Sequence, residues 1–206
     1  MEYLGKKQLQ QYKDEISAII EDLKIELGNE WYLYYYLVGS GRRNMVLESN
    51  EGFDLDYHLM LKKWPNNLDA EGIKMAMMNA LDEVTLGHLS SSKDSTHVIT
   101  IKCVENGTLK YSYDLAIMKK DNSSQILKNE KENGNNGPYH FVQVPDSSSF
   151  FDKFSNIKGP KMWRDLRDFY KEEKVEQHKV KKEDRIYSFA LLQSATNRVL
   201  QKYDLI

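Results

Sequence analysis

Residues 31–61 read WYLYYYLVGSGRRNMVLESNEGFDLDYHLML, and the rest of the chain is organised around them. Residues 32–38 are an aromatic and β-branched run with the composition of a buried strand, and the run stops at Gly39-Ser40-Gly41, where a turn is expected. A second strand then opens with Asp54-Leu55-Asp56. Side chains alternate along a strand, so Asp54 and Asp56 project from one face while Leu55 and Tyr57 point into the opposite layer. Two bare carboxylates side by side repel, and a divalent cation between them removes that cost. An all-oxygen ligand set suits a hard ion that keeps water and shares its shell with phosphates, as magnesium does. Glycines at 39 and 41 let the backbone approach a ligand closely, so the Ser40 hydroxyl and the neighbouring N–H groups are candidates to hold phosphate oxygens.

Composition limits what can surround this segment. The chain has 206 residues, 40% of them hydrophobic and 29% charged, which is enough for one large domain or a main domain with a small appendage. A net charge of -2 argues against a polyanion-binding molecule, so any nucleic-acid contact is local. The single cysteine, Cys103, excludes an internal disulfide and a CxxC metal site. No signal peptide is recognisable and the apolar runs fall far short of the ~20 residues of a membrane helix, so a cytoplasmic protein without membrane partners is expected.

On either side, residues 6–27 carry Leu9, Tyr12, Ile16, Ile19, Ile20, Leu23 and Leu27 at helical spacing, with Gly28 as a stop. Residues 69–89 show the same period through Ile73, Met77, Ala80, Leu81 and Val84, and Met75, Met77 and Met78 read as core filling. Residues 96–104 and 108–118 are two β-rich runs joined by Asn106-Gly107, a strong hairpin signal. The second contains a lone acid, Asp114, among apolar and aromatic neighbours, where an unpaired carboxylate is costly. If that strand lies beside the one bearing Asp54 and Asp56, Asp114 becomes a third ligand. Residues 125–130 and 139–144 predict a second hairpin with a loop at 133–138. From residue 146 the pattern turns helical over 147–157, 160–177 and 183–203, with Lys179 to Lys182 as a basic knot. The division expected is 1–145 and a C-terminal helical lobe, 146–206, packed on it.

Val38-Gly39-Ser40, thirteen intervening residues, Asp54-Leu55-Asp56-Tyr57 and then Tyr113-Asp114-Leu115 resemble the pattern of the DNA polymerase β-like nucleotidyltransferase superfamily. In that family a hydrophobic strand ends in Gly-Ser, an Asp-x-Asp follows, and a third acid sits on a later strand. The resemblance spans residues 32–118. It implies an α+β fold, a mixed sheet flanked by helices, with residues 1–145 as the catalytic domain. It also implies an enzyme of the EC 2.7.7 type that transfers a nucleoside monophosphate from a nucleoside triphosphate, most commonly ATP in the family, with release of pyrophosphate. Two magnesium or manganese ions would sit on the three acids, an arrangement that also suits in-line phosphoryl transfer physically. By that analogy Asp54 and Asp56 hold the triphosphate's ion, Asp56 and Asp114 help hold the second, and Asp114 activates the acceptor hydroxyl. Gly39 and Ser40 would contact the triphosphate. Arg42 and Arg43 are either its helpers or solvated surface.

Competing readings are weaker. A Rossmann site fails at its third glycine, since position 44 is Asn, and no Gly-Lys-Ser/Thr follows the turn for a Walker A loop. The five histidines show no zinc-ligand spacing, and the turn serine lacks a Gly-x-Ser-x-Gly elbow. His58 alternates onto the carboxylate face as a structural histidine or a substrate neighbour. Tyr34 to Tyr36 read as core. In the helical lobe Lys161, Arg164, Arg167, Tyr187 and Arg198 include one or two candidate grips on the triphosphate or base. The acceptor, whether small molecule, nucleotide, RNA or protein, and the oligomeric state are not written in the sequence. An oligonucleotide or cyclic-nucleotide synthase, or a non-catalytic nucleotide-binding module, are the alternatives on the same fold.

Overall fold

The computed structural model describes residues 1–85, 87, 89–121, 123–130, 137–181 and 184–206. They form two compact units, residues 2–144 and 145–206. Among the described residues no helix is long and apolar enough to cross a membrane.

In the first unit, α1 (Lys6–Leu27) buries Leu9, Ile16, Ile19, Ile20 and Leu23, the stripe that its three- and four-residue spacing dictates. It ends where Gly28 takes φ +76° and its N–H returns to the carbonyls of Lys24 and Ile25. The other long helix of this unit, α3 (Ala70–Val84), starts on Asp69, whose carboxylate accepts the Gly72 N–H at 2.8 Å. It stops short of the predicted residue 89: the Thr85 hydroxyl donates back to the Leu81 carbonyl, and Leu89 bridges to Cys103 instead. Met77 is fully buried, whereas Met75 is 42% exposed, so core filling holds for the first and not for the second.

The strands that these helices cover are β2 (Tyr32–Leu37), β4 (Phe53–Lys63), β5 (Lys93–Asp94), β6 (Ile99–Glu105) and β7 (Thr108–Lys120), hydrogen-bonded in the order β2-β4-β7-β6-β5. Strand β8 (Ser124–Asn129) pairs with the end of β7, and β9 (Tyr139–Gln143) pairs with β8. The β4–β7 pair is parallel and its neighbours are antiparallel, which makes the sheet mixed. Asn106 at φ 52° and Gly107 at φ 74° close the β6–β7 hairpin with two left-handed residues, the geometry that matches strand twist. Residues 133–136, within the loop predicted for the second hairpin, lie outside the described residues. Two-residue strands β1 (Glu2–Tyr3) and β3 (Leu47–Glu48) form a separate ladder that no hydropathy pattern signals.

Leu33, Leu55, Tyr57, Leu59, Leu61, Ile99, Ile101, Tyr113, Leu115 and Ile117 form one core with the inner stripes of α1 and α3. Two polar ties fix helix to sheet through it. Tyr113 donates to Glu15 and to the Tyr12 carbonyl, and Tyr111 donates to the other Glu15 oxygen at 3.1 Å. Lys74 on α3, only 1% exposed, pairs with Asp94 at 3.0 Å, and Asp94 also accepts from Asn129 and Tyr139. A buried ammonium is tolerable only with such a partner.

The second unit comprises α4 (Ser148–Phe154), α5 (Gly159–His178) and α6 (Ser188–Lys202). Pro160 sits in the first turn of α5, where its missing N–H costs nothing. Leu166 and Tyr170 on α5 and Leu191, Ala195, Val199 and Leu200 on α6 are buried. The last helix begins at Ser188, because Tyr187 is extended and the Ile186 N–H is taken by the Gln177 side chain; the predicted start, residue 183, lies outside the described residues. Arg198 lies over the Phe169 ring and pairs with Glu172 at 2.8 Å and Glu173 at 3.4 Å.

Candidate active site

The face of the sheet opposite α1 and α3 carries polar residues near the Gly39 turn and a small buried apolar cluster, Met60, Ala116 and Met118, farther along, and strand register arranges the polar ones in rows. Adjacent strands stand ~4.8 Å apart and same-face residues ~7 Å along a strand, so residues at one level are close neighbours. On parallel β4 and β7, Asp56 is level with Asp114 and Asp54 with Ser112; antiparallel β6 adds Thr100 beside Asp114 and Lys102 beside Ser112. One row is therefore Asp56–Asp114–Thr100 and the next is Asp54–Ser112–Lys102. The sequence presents Asp114 only as a lone acid in a strand; its place comes from the β4–β7 pairing.

The Thr100 hydroxyl donates to Asp114 Oδ1 at 2.6 Å. Burial pushes the Asp114 carboxyl up, the Thr100 hydrogen bond opposes this, the nearby Asp54 charge raises it further and Lys102 lowers it; the net shift is upward. Among the described residues no three His, Cys, Asp or Glu side chains converge as a ready metal-ligand group. The donor set does fit a hard cation: every carboxylate is oxygen-only, and the three stand on one face in two adjacent rows.

The turn that precedes them is built against the same carboxylates. After β2 the Val38 N–H bonds the Asp56 carbonyl at 2.8 Å, and the chain enters α2 (Gly39–Arg42), a single turn. Gly39 has φ +60°, and a Cβ there would lie 2.6 Å from Asp56 Oδ2. The left-handed backbone favours glycine, and any Cβ would displace the Asp56 carboxylate. Gly41 is needed on the other side, where a Cβ would meet Leu37 and Leu55 side chains at 2.8 and 3.0 Å. The Ser40 carbonyl accepts the Arg43 and Met45 N–H groups, and the Arg43 guanidinium donates to the Gly39 carbonyl at 3.0 Å. Arg43 thus braces the turn, while Arg42 is exposed and its positive charge acts on the Tyr36 phenol.

Tyr34 and Tyr36 correct the sequence reading: each is 39% exposed on the carboxylate face, and Tyr35 between them packs against the core. His58, level with Tyr36, meets the Tyr36 hydroxyl through Nδ1 at 3.3 Å, and burial lowers its pKa. Thr100, Lys102 and Ser112 were not singled out from the sequence. The alternation Ile-Thr-Ile-Lys-Cys over 99–103 does mark Thr100 and Lys102 as one outward face, but only pairing shows that this face adjoins Asp114.

No protein-family model and no curated protein matches the chain. Solved structures do. The GTP-bound form of DncV from Vibrio cholerae aligns with a TM-score of 0.58 at 13% identity, over 96% of this chain and 52% of that one. The CdnE cyclic dinucleotide synthase from Elizabethkingia meningoseptica, with GTP and Apcpp, aligns with a TM-score of 0.55 at 14% identity, over 97% and 83%. The CD-NTase CdnG from Bradyrhizobium diazoefficiens, in complex with GTP, aligns with a TM-score of 0.51 at 13% identity, over 73% and 42%. The chain spans about half the length of the Vibrio and Bradyrhizobium proteins. Across these alignments the shared property is architecture: the chain has the fold of these three structures, a mixed sheet flanked by helices.

Proposed function

We propose that the protein is a metal-dependent nucleotidyltransferase that moves a nucleoside monophosphate from a nucleoside triphosphate, ATP in the first instance, to a hydroxyl acceptor and releases pyrophosphate. The observation that carries this reading is the level placement of Asp56 and Asp114 on parallel neighbouring strands, with Asp54 on the same face and the Gly39 backbone against Asp56. A structural role for three carboxylates on one sheet face would leave them repelling one another.

Asp54 and Asp56 would hold one magnesium or manganese ion with the triphosphate, and Asp56 and Asp114 a second. Bound there, divalent cations neutralise triphosphate charge and stabilise the attacking and leaving oxygens. The chain's own residues supply the rest. Thr100 fixes one oxygen of Asp114. With that oxygen held, Asp114 would be the carboxylate that takes the acceptor's proton. Gly39 and Ser40 give the triphosphate close access to backbone, and Arg42 stands exposed beside the turn as an added positive charge.

The fold neighbours favour one acceptor class, a second nucleotide, because the CdnE neighbour is a cyclic dinucleotide synthase. Incubation with α-labelled ATP or GTP in magnesium or manganese, followed by separation of products, tests both levels. Label in a phosphatase-resistant dinucleotide supports the nucleotide acceptor. Label transferred only when another acceptor is added keeps nucleotidyl transfer and rejects the synthase. No metal-dependent transfer to any acceptor, with nucleotide binding absent, rejects the enzyme.

A further inference from the structure

Beyond the carboxylates the same sheet face carries the buried Met60, Ala116 and Met118 on β4 and β7 and becomes aromatic on the edge strand β2. Tyr36 stands level with His58 and Tyr34 with Met60, one and two same-face steps along β4 from Asp56, or roughly 7 and 13 Å at strand spacing. Their rings are almost parallel, 25° apart with centroids at 6.4 Å, so they stand in a stacked array with like orientation. The Tyr36 hydroxyl donates to Met60 Sδ at 3.7 Å and meets His58 Nδ1 at 3.3 Å, which fixes that ring from its far end. Lys62 lies 5.6 Å from the Tyr34 ring, and Arg42 is exposed on the turn just past Tyr36. Tyr35, on the opposite side of the strand, meets Tyr57 in the core. Strand propensity alone accounts for tyrosine at all three positions. It does not account for two of them lying open in a stacked pair beside the carboxylates, with Arg42 at the near end and Lys62 at the far end.

We infer that Tyr34 and Tyr36 are the stacking platform for the base of the donor nucleotide. The inference rests on the function proposed above. With the pyrophosphate end at Gly39 and Ser40 and the acceptor at Asp114, the donor's nucleoside must leave the carboxylates along the strand direction. On one side of them that direction runs onto Tyr36 and then Tyr34. Aromatic stacking suits any base because each has a π face, so the platform predicts donor tolerance between ATP and GTP. Lys62 and Arg42 complement an anionic ligand rather than a neutral one.

Calorimetric titration of the full chain with ATP, GTP and inorganic tripolyphosphate, each with magnesium, tests this. Tyr34→Ala and Tyr36→Ala should each weaken ATP and GTP binding about five- to a hundredfold, with tripolyphosphate affinity unchanged. Tyr34→Phe and Tyr36→Phe should restore nucleotide affinity to within about twofold, since the ring and not the hydroxyl does the stacking. Unchanged ATP affinity in the double alanine variant overturns the platform. So does an equal loss for tripolyphosphate, which would mean that the tyrosines merely support the turn. Wild-type protein that binds neither nucleotide nor tripolyphosphate overturns the nucleotide site itself, and the platform with it.

Discussion

Gly39→Ala is the sharpest single perturbation of the site. Two separate effects follow from the structure. First, at φ +60° an alanine takes a left-handed conformation, which costs about 1–2 kcal/mol. For a chain of this size that lowers the melting temperature by roughly 2–8 °C. Second, the new Cβ would sit 2.6 Å from Asp56 Oδ2, so the carboxylate must retreat by ~0.8 Å to reach ordinary contact. Displacements on the order of 1 Å at reacting groups cost about a hundredfold in rate. Gly107→Ala provides the control. It has φ +74° and nothing within 4 Å of its Cβ, so it carries the backbone cost without the contact. Thermal melts and pyrophosphate release by both variants separate the effects: similar losses of stability, with activity lost in Gly39→Ala alone. Activity within threefold of wild type in Gly39→Ala, or an equal loss in Gly107→Ala, would refute the claim that Asp56 is positioned against the turn for catalysis.

Thr100→Val removes the 2.6 Å hydrogen bond to Asp114 without changing side-chain shape, and a bond to a charged group is worth ~1.5–3 kcal/mol; kcat should fall about ten- to a hundredfold with KM for the triphosphate little changed in steady-state assays. Asp94→Asn should destabilise by about 3–5 kcal/mol in urea unfolding, because Lys74 would keep a buried charge without its counter-ion, whereas Lys74→Met with Asp94→Asn should recover most of the loss. Burial raises the Asp94 carboxyl, but hydrogen bonds from Tyr139, Lys74 and Asn129 and the Lys74 charge outweigh it and hold it below the usual range. Its contribution is therefore present above about pH 4 and is lost as pH falls through the folded-state value, an acid loss that Asp94→Asn should lack in melts at pH 2–6. Tyr57, Tyr111 and Tyr113 are pushed up, chiefly by burial and, for the last two, also by Glu15. Their raised values give stability that is complete below about pH 10 and declines as pH rises above it, and Tyr113→Phe should flatten that decline in melts between pH 8 and 11.

Local pattern carried much of this structure into the sequence. Residues 6–27 show their buried stripe and their stop, and Asn106-Gly107 announces its hairpin, because both depend on neighbours in the chain. Alternation places Asp54 and Asp56 on one face for the same reason. What alternation cannot state is which strand lies beside which, and so Thr100 and Lys102 gain their meaning only from the β6–β7–β4 register. Tyr34, Tyr35 and Tyr36 are identical in hydropathy, and only their phase relative to Leu33 and Leu37 separates the middle one, on the core face, from the outer two; that nothing covers the outer two is a tertiary fact. Lys74 is a similar case: a lysine beside Ile73 on an amphipathic helix reads as exposed until Asp94 arrives from a distant strand. The early end of α3 rests on one hydroxyl, Thr85, turning back on Leu81.

Release of pyrophosphate from ATP, GTP, CTP and UTP, compared between wild type and the single variants Asp54→Asn, Asp56→Asn and Asp114→Asn, tests the central proposal most directly. Metal-dependent release by the wild type, reduced by at least a hundredfold in each variant while circular dichroism and melting temperature stay unchanged, is the predicted result. Release that survives in any of the three folded variants would contradict a catalytic site built on these aspartates.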